Sequence, residues 1–161
     1  MKSSLRTLQC GLAFAAAAAF MTGAWAKGAD PIVGTWKLSV DKSKYSPGPA
    51  PKSMTLKIEA AGKGVHLTSE GVGADDKPTA TEYTANYDGK DYPLKGSPVA
   101  DTVSLKRINA RTVRRTDKKD GKVVQTLTRV MDKDGKTFTV TTKGKNAKGE
   151  AVHNVTVFEK Q

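Results

Sequence analysis

The sequence predicts an all-β fold, a single antiparallel up-and-down β-barrel of about eight to ten strands. Three observations point there. Turn-forming residues recur at intervals of roughly 8–12 residues after Lys27, the spacing of an all-β domain. The segments between them alternate apolar and polar side chains, the period of a strand with one face turned inward. Three Asp-Gly pairs, Asp88-Gly89, Asp120-Gly121 and Asp134-Gly135, each sit between two such segments. They fit type I′ hairpin turns, whose central residues both need positive φ. Consecutive hairpins make a meander, and closing that sheet on itself removes its exposed edges.

Residues 1–26 read as a signal peptide and 27–161 as the barrel domain. Lys2 and Arg6 form a positive start, Leu12 to Met21 an apolar run, and Ala24-Trp25-Ala26 a cleavage site of the A-x-A kind before Lys27. The apolar run is shorter than the roughly 20 residues that span a bilayer. The expectation is export to the periplasm or beyond, with no transmembrane segment once the leader is cleaved. Cys10 precedes the apolar run instead of ending it, which does not fit a lipidation site. Beyond it the chain has no cysteine, so neither a disulfide nor thiol chemistry is available.

The formal net charge of +11 becomes +9 without Lys2 and Arg6. An exported basic protein is attracted to anionic envelope components such as lipid headgroups or acidic glycans. The lysines are nevertheless scattered over turns and outward strand positions, as solubility alone requires.

The first strand is Ile32-Val33-Gly34-Thr35-Trp36-Lys37-Leu38-Ser39-Val40, with Ile32, Gly34, Trp36, Leu38 and Val40 on one face. The stretch Ser43–Lys52 carries Pro47, Gly48, Pro49 and Pro51, which excludes a regular helix and predicts an irregular surface loop. Met54, Leu56 and Ile58 then alternate with Thr55, Lys57 and Glu59, and Val65 and Leu67 continue the pattern after Gly62-Lys63-Gly64. A second loop spans Gly71–Pro78. Tyr83, Ala85 and Tyr87 alternate with Glu82, Thr84 and Asn86. Tyr92-Pro93 to Ser97-Pro98 predicts a third interruption, with Pro93 at a strand edge or end. Val103 and Leu105 precede the basic segment Lys106–Lys119, and Phe138 and Val140 lie inward among threonines.

These residues resemble a known superfamily. Gly34-Thr35-Trp36-Lys37-Leu38 is similar to the opening strand of the calycins, which join lipocalins and fatty-acid-binding proteins. Asn154-Val155-Thr156-Val157-Phe158-Glu159-Lys160 resembles the closing strand of fatty-acid-binding proteins. The resemblance spans the predicted mature chain as a pattern, with motif-like residues at its two ends, and implies a lipocalin-like barrel of the kind exported by Gram-negative bacteria. Two departures limit what it carries over. The Pro-rich stretch replaces the helical lid of the fatty-acid-binding proteins. Thr156 and Phe158 stand where those proteins use an Arg-x-Tyr pair for the ligand carboxylate.

No catalytic constellation is present. His66 and His153 are far apart in the chain and out of phase with their apolar neighbours, so no metal site is expected. No Gly-x-Ser-x-Gly elbow occurs, and Asp132-Lys133-Asp134-Gly135-Lys136 reads as a hairpin turn, not a calcium loop. The segment Lys106–Lys119 has no aromatic to interleave with its charges, so nucleic acid is not an expected partner.

Arginines are the one informative charge. Arg107 and Arg115 share the phase of Val103, Leu105 and Val113, and Arg129 shares that of Val123, Leu127 and Met131. A guanidinium turned inward would need a partner. It could hold an anionic headgroup or stack over Trp36 as a structural contact. The expectation is a non-enzymatic exported binding protein, without cofactor, that holds a small apolar or amphipathic molecule inside the barrel. Its wall would be Trp36, Leu38, Met54, Leu56, Ile58, Leu67, Tyr83, Tyr87, Val103, Leu105, Phe138, Val140 and Phe158, with Arg107 or Arg129 as the polar fixing point. The alternative is an envelope interaction module with a solid core, which meets anionic polymers or partner proteins through its basic outer surface.

Overall fold

Each alternating segment forms a strand because one-sided apolar patterning satisfies a sheet with one dry face. The computed structural model describes residues 30–161. The predicted signal peptide, residues 1–26, lies outside them. Ten strands run in chain order: β1 (Gly34–Lys44), β2 (Ser53–Ala61), β3 (Gly64–Val72), β4 (Pro78–Asn86), β5 (Asp88–Lys95), β6 (Thr102–Arg107), β7 (Thr112–Lys119), β8 (Lys122–Met131), β9 (Thr137–Lys145) and β10 (Ala151–Lys160). Every strand pairs antiparallel with its chain neighbours, and β10 closes on β1 through Trp36↔Lys160 and Leu38↔Phe158. The barrel is closed, and the predicted all-β, up-and-down architecture holds.

The two ends of the barrel differ. At the floor end lie residues 30–33, the start of β1, the turns after β2, β4, β6 and β8, and the chain's last residues. Trp36 fills this end. It is fully buried, its indole N–H donates to the Ile32 carbonyl at 2.7 Å, and its ring meets Phe138 edge-on at 4.6 Å. The opening Gly34 has φ 141°, and a Cβ there would lie 3.0 Å from Lys160 Cε. Its bare backbone makes room for the Lys160 stem, whose ammonium sits 5.2 Å from the Trp36 ring centroid. Lys160, not Arg107 or Arg129, is therefore the cation over the indole. The β1–β10 closure places it there.

Three local expectations change. Val40 leaves the inward phase and is 36% exposed, because β1 carries extra residues between Ser39 and Lys44 relative to β10. Ser43 sustains that bulge: its hydroxyl donates to the Ser39 carbonyl and accepts from the Val157 N–H. Pro93 lies within β5 instead of interrupting it. The Leu94 N–H donates toward β6, to Asp101, so the donor-less side of Pro93 faces β4, where pairing ends at Tyr83↔Leu94. Finally, only Asp120-Gly121 has both residues at positive φ, 50° and 74°, as type I′ requires. At Asp88-Gly89 and Asp134-Gly135 the glycine alone does, and the latter turn is widened by the Asp132 N–H donating to Thr137 O.

Candidate functional site

Above the floor the inward side chains stop short of filling the barrel and leave a lumen of about 390 Å³. That lies within the roughly 300–1,000 Å³ of small-molecule sites. The inward phases of the strands supply its wall. Met54, Leu56, Leu67, Tyr83, Leu105, Arg129, Phe138, Val140 and Phe158 all line it, joined by Val113 and Leu127. Toward the open end the lining turns polar, with Ser69, Thr79, Thr81, Gln125, Thr142 and Asn154. Tyr45 and Pro51, from the link between β1 and β2, complete it. The Pro-rich link thus borders the lumen where a helical lid would otherwise stand.

Five expected wall residues and one of the two expected fixing points lie elsewhere. Trp36 and Ile58 are buried but do not line the lumen. Trp36 is screened from it by Phe138, which also stacks on Phe158 at 5.0 Å. Leu38 and Val103, named with the wall, are likewise core residues outside the lining. Tyr87 and Arg107 sit at the floor end with Asp30. The Tyr87 hydroxyl donates to Asp30 at 2.8 Å, Arg107 forms an ion pair with the same carboxylate, and its guanidinium lies 4.1 Å from the Tyr87 ring centroid. Arg107 is the last residue of β6, where the strand has already passed the packed floor. Its charge is therefore spent on the N-terminal segment and not on the lumen.

This triad has consequences for titration. Burial alone would raise the Asp30 carboxyl, but the Tyr87 hydroxyl, the Ile32 N–H and Arg107 donate to it and hold it below the usual carboxylate range. Burial pushes the Tyr87 phenol up to about 12, so it remains a donor at neutral pH.

Two other arginines do reach the lumen. Arg115 holds Asp117 bidentately, Nε to Oδ1 at 2.6 Å and Nη2 to Oδ2 at 2.8 Å, with the guanidinium 4.9 Å from the Tyr83 centroid. Asp117 is 4% exposed and is compensated by this pair. Arg129 is different. Its guanidinium lies 6.0 Å from the Phe138 centroid, and among the described residues it has no carboxylate partner of the kind that Arg107 and Arg115 have. The lumen wall therefore carries one uncompensated positive charge, against a mostly apolar background.

The phase of Val113-Arg115-Asp117 signals an inward ion pair, since an acid two positions from an arginine on a strand shares its face. Tyr45 gives no such signal, because it lies in an irregular link without periodicity. Elsewhere, His66 is outward and meets Thr84 Oγ1 at 2.8 Å. Among the described residues no three His, Cys, Asp or Glu side chains gather as a metal site would need.

No protein-family model matches the sequence, and no curated protein matches it. Among solved structures, the crystal structure of the zebrafish ileal bile acid-binding protein complexed with cholic acid is similar to it. The match covers 81% of this chain and 99% of that one at 12% identity, with a TM-score of 0.50. The likeness is one of fold, and the barrel is calycin-like.

Proposed function

We propose that this protein is a non-enzymatic carrier that holds a small apolar or amphipathic molecule in the barrel lumen, with Arg129 binding its anionic group. The observation that carries the reading is Arg129, without a carboxylate partner among the described residues, in a mostly apolar cavity of about 390 Å³. Arg129 is half-buried, and a cation partly withdrawn from water gains by pairing with an opposite charge. A ligand carboxylate, sulfonate or phosphate pairs with it by charge-assisted hydrogen bonds while its tail covers the apolar wall. The neighbouring fold is that of a bile acid-binding protein, which agrees with a carrier. In this reading the carrier works outside the cytoplasm, after its leader is cleaved. The alternative of a solid interaction module needs a filled interior, which a lumen of this size does not provide.

Native mass spectrometry of protein purified from its own host, with a panel of fluorescent fatty-acid and retinoid-like probes, tests the proposal. A copurified amphiphile or a saturable probe is expected. Leu127→Trp, which places a large side chain in the lumen, is expected to abolish uptake while the far-ultraviolet β signature persists. No uptake by the intact protein, or equal uptake by the filled variant, overturns the proposal.

A further inference from the structure

β8 carries a polar group toward each end of its inward face. Arg129, Leu127 and Gln125 point into the lumen in turn, and all three line it. Arg129 lies near the floor and Gln125 toward the mouth, about 13 Å apart along the strand. Thr142 of β9 and Asn154 of β10 line the same wall beside Gln125. They pair with each other across their strands, and Thr142 also pairs with Leu127.

The two amides at the mouth are half used. Gln125 Nε2 donates to the Lys145 carbonyl at 2.7 Å, and Asn154 Oδ1 accepts from the Ser46 N–H at 2.9 Å. Each backbone partner fixes which way its amide points. Gln125 Oε1 is left as a free acceptor and Asn154 Nδ2 as a free donor, and the Thr142 hydroxyl between them has no partner among the described residues. These groups are open. The Tyr45 hydroxyl is the sole partnerless side-chain nitrogen or oxygen shut off from solvent among the described residues, so the three at the mouth are within its reach, on the lumen wall that their residues form. Polar groups on such a wall normally find a partner, and here it comes from outside the chain.

We propose that Gln125, Thr142 and Asn154 form a hydroxyl-binding subsite at the mouth of the lumen, and that the cargo is an anionic amphiphile with a hydroxyl one medium-length acyl chain away from its anionic group. The inference rests on the lumen being a ligand site with Arg129 at its deep end. A hydroxyl both donates and accepts. It donates to the Gln125 oxygen and accepts from the Thr142 hydroxyl, the diagonal neighbour of Gln125 across β8 and β9. The Asn154 amide is the next donor along the wall. A carbonyl or an ether only accepts, and leaves the Gln125 oxygen without a proton to share. A plain fatty acid satisfies Arg129 alone.

Laurate, ω-hydroxylaurate and ω-methoxylaurate separate these cases when titrated into the wild type, Gln125→Met and Thr142→Val. The first variant keeps the length of the side chain and removes the acceptor; the second keeps the shape and removes the hydroxyl. The wild type is expected to favour the hydroxy acid over laurate about three- to tenfold, the worth of one neutral hydrogen bond. The methoxy acid is expected to bind no better than laurate. Gln125→Met is expected to bring the preference to about one and Thr142→Val to lower it, with laurate bound as by the wild type. Where Gln125→Met fails to fold for want of its Lys145 contact, Thr142→Val, which breaks no hydrogen bond of the chain, carries the test. Laurate binding with no preference in the wild type, an equal gain from the methoxy acid, or a preference that survives in both variants overturns the inference but leaves the carrier reading standing. Laurate binding weakened in both variants also overturns it, since these residues then shape the lumen and do not read a hydroxyl. Binding of none of the three acids by the wild type overturns the carrier reading, and this inference with it.

Discussion

Tyr87 and Asp30 are joined by a 2.8 Å hydrogen bond that fastens the segment before β1 to the floor of the barrel, with Arg107 paired to the same carboxylate. That segment supplies the Ile32 carbonyl to the Trp36 indole. The contact thus links a surface charge to the largest buried side chain.

Asp30→Asn keeps the shape of this contact and removes its charge. Because the folded Asp30 is held below its ordinary value of 3.8, its ionised form contributes stability above about pH 4, which is lost as pH falls through the lowered folded value. The variant is expected to be about 1 kcal/mol less stable than wild type at neutral pH, the scale of a charge-assisted hydrogen bond that is partly solvent-screened. The two curves should converge as the pH drops below about 4. Urea titrations at a series of pH values measure this. Equal stability at neutral pH, or a gap that widens in acid, would refute it.

Arg115 and Asp117 make a different prediction. Asp117 is buried and Arg115 keeps only 20% of its side chain exposed, so removing the acid strands a largely desolvated guanidinium. Asp117→Leu is expected to cost about 3 kcal/mol, the low end for breaking a buried pair. The double replacement Arg115→Met with Asp117→Leu should recover most of that loss, since an apolar pair of similar volume costs little. A double-mutant cycle by denaturant unfolding checks it, and a double variant as unstable as the single one would refute it.

Much of the barrel was legible because alternation is a physical record of which side is dry. Met54, Leu56, Leu67 and Tyr83 were placed by phase and sit inward as phase requires. Phase fails where the ladder is irregular. Val40 turned outward because a bulge sustained by the Ser43 hydroxyl breaks the count, and no run of apolar residues announces a bulge. For the arginines, phase gave the side but not the depth. Arg107 and Arg129 both have inward parity, yet Arg107 ends its strand beyond the floor and Arg129 lies above it. That difference depends on the stagger of the strands around the barrel, which only the closed register reveals. Tyr45 was invisible because its place comes from a link fastened to β10, a contact between residues more than a hundred positions apart (Ser46 to Asn154, a separation of 108).

Arg129 is the residue whose loss should change binding more than folding. Arg129→Gln removes the charge and leaves a polar group that reaches the same region. For an anionic amphiphile the affinity should fall roughly ten- to a hundredfold, the worth of a charge-assisted hydrogen bond. A neutral apolar probe of the same length should bind as before. The ligand-free variant should be no less stable than the wild type, because no carboxylate partner of Arg129 is left behind. Calorimetric titration with a fatty acid and its methyl ester separates these effects, and an equal loss for both ligands would count against the assignment.

Trp36 offers a readout of the floor itself. It is the only tryptophan after position 26, so in a protein beginning at Lys27 all indole emission reports this one site. The ring is fully buried and lies on the far side of Phe138 from the lumen. Its emission should therefore be blue-shifted and resist quenching by acrylamide. Saturating the lumen with ligand should leave both properties unchanged, because Phe138 meets the ligand and Trp36 does not. Trp36→Phe should cost about 2 kcal/mol or more, since the smaller ring leaves a void and the buried Ile32 carbonyl loses its donor. Binding per folded molecule should survive that change. If ligand instead shifts the emission while the unfolding midpoint stays fixed, the indole touches the ligand, and the floor lies deeper than the Trp36–Phe138 contact places it.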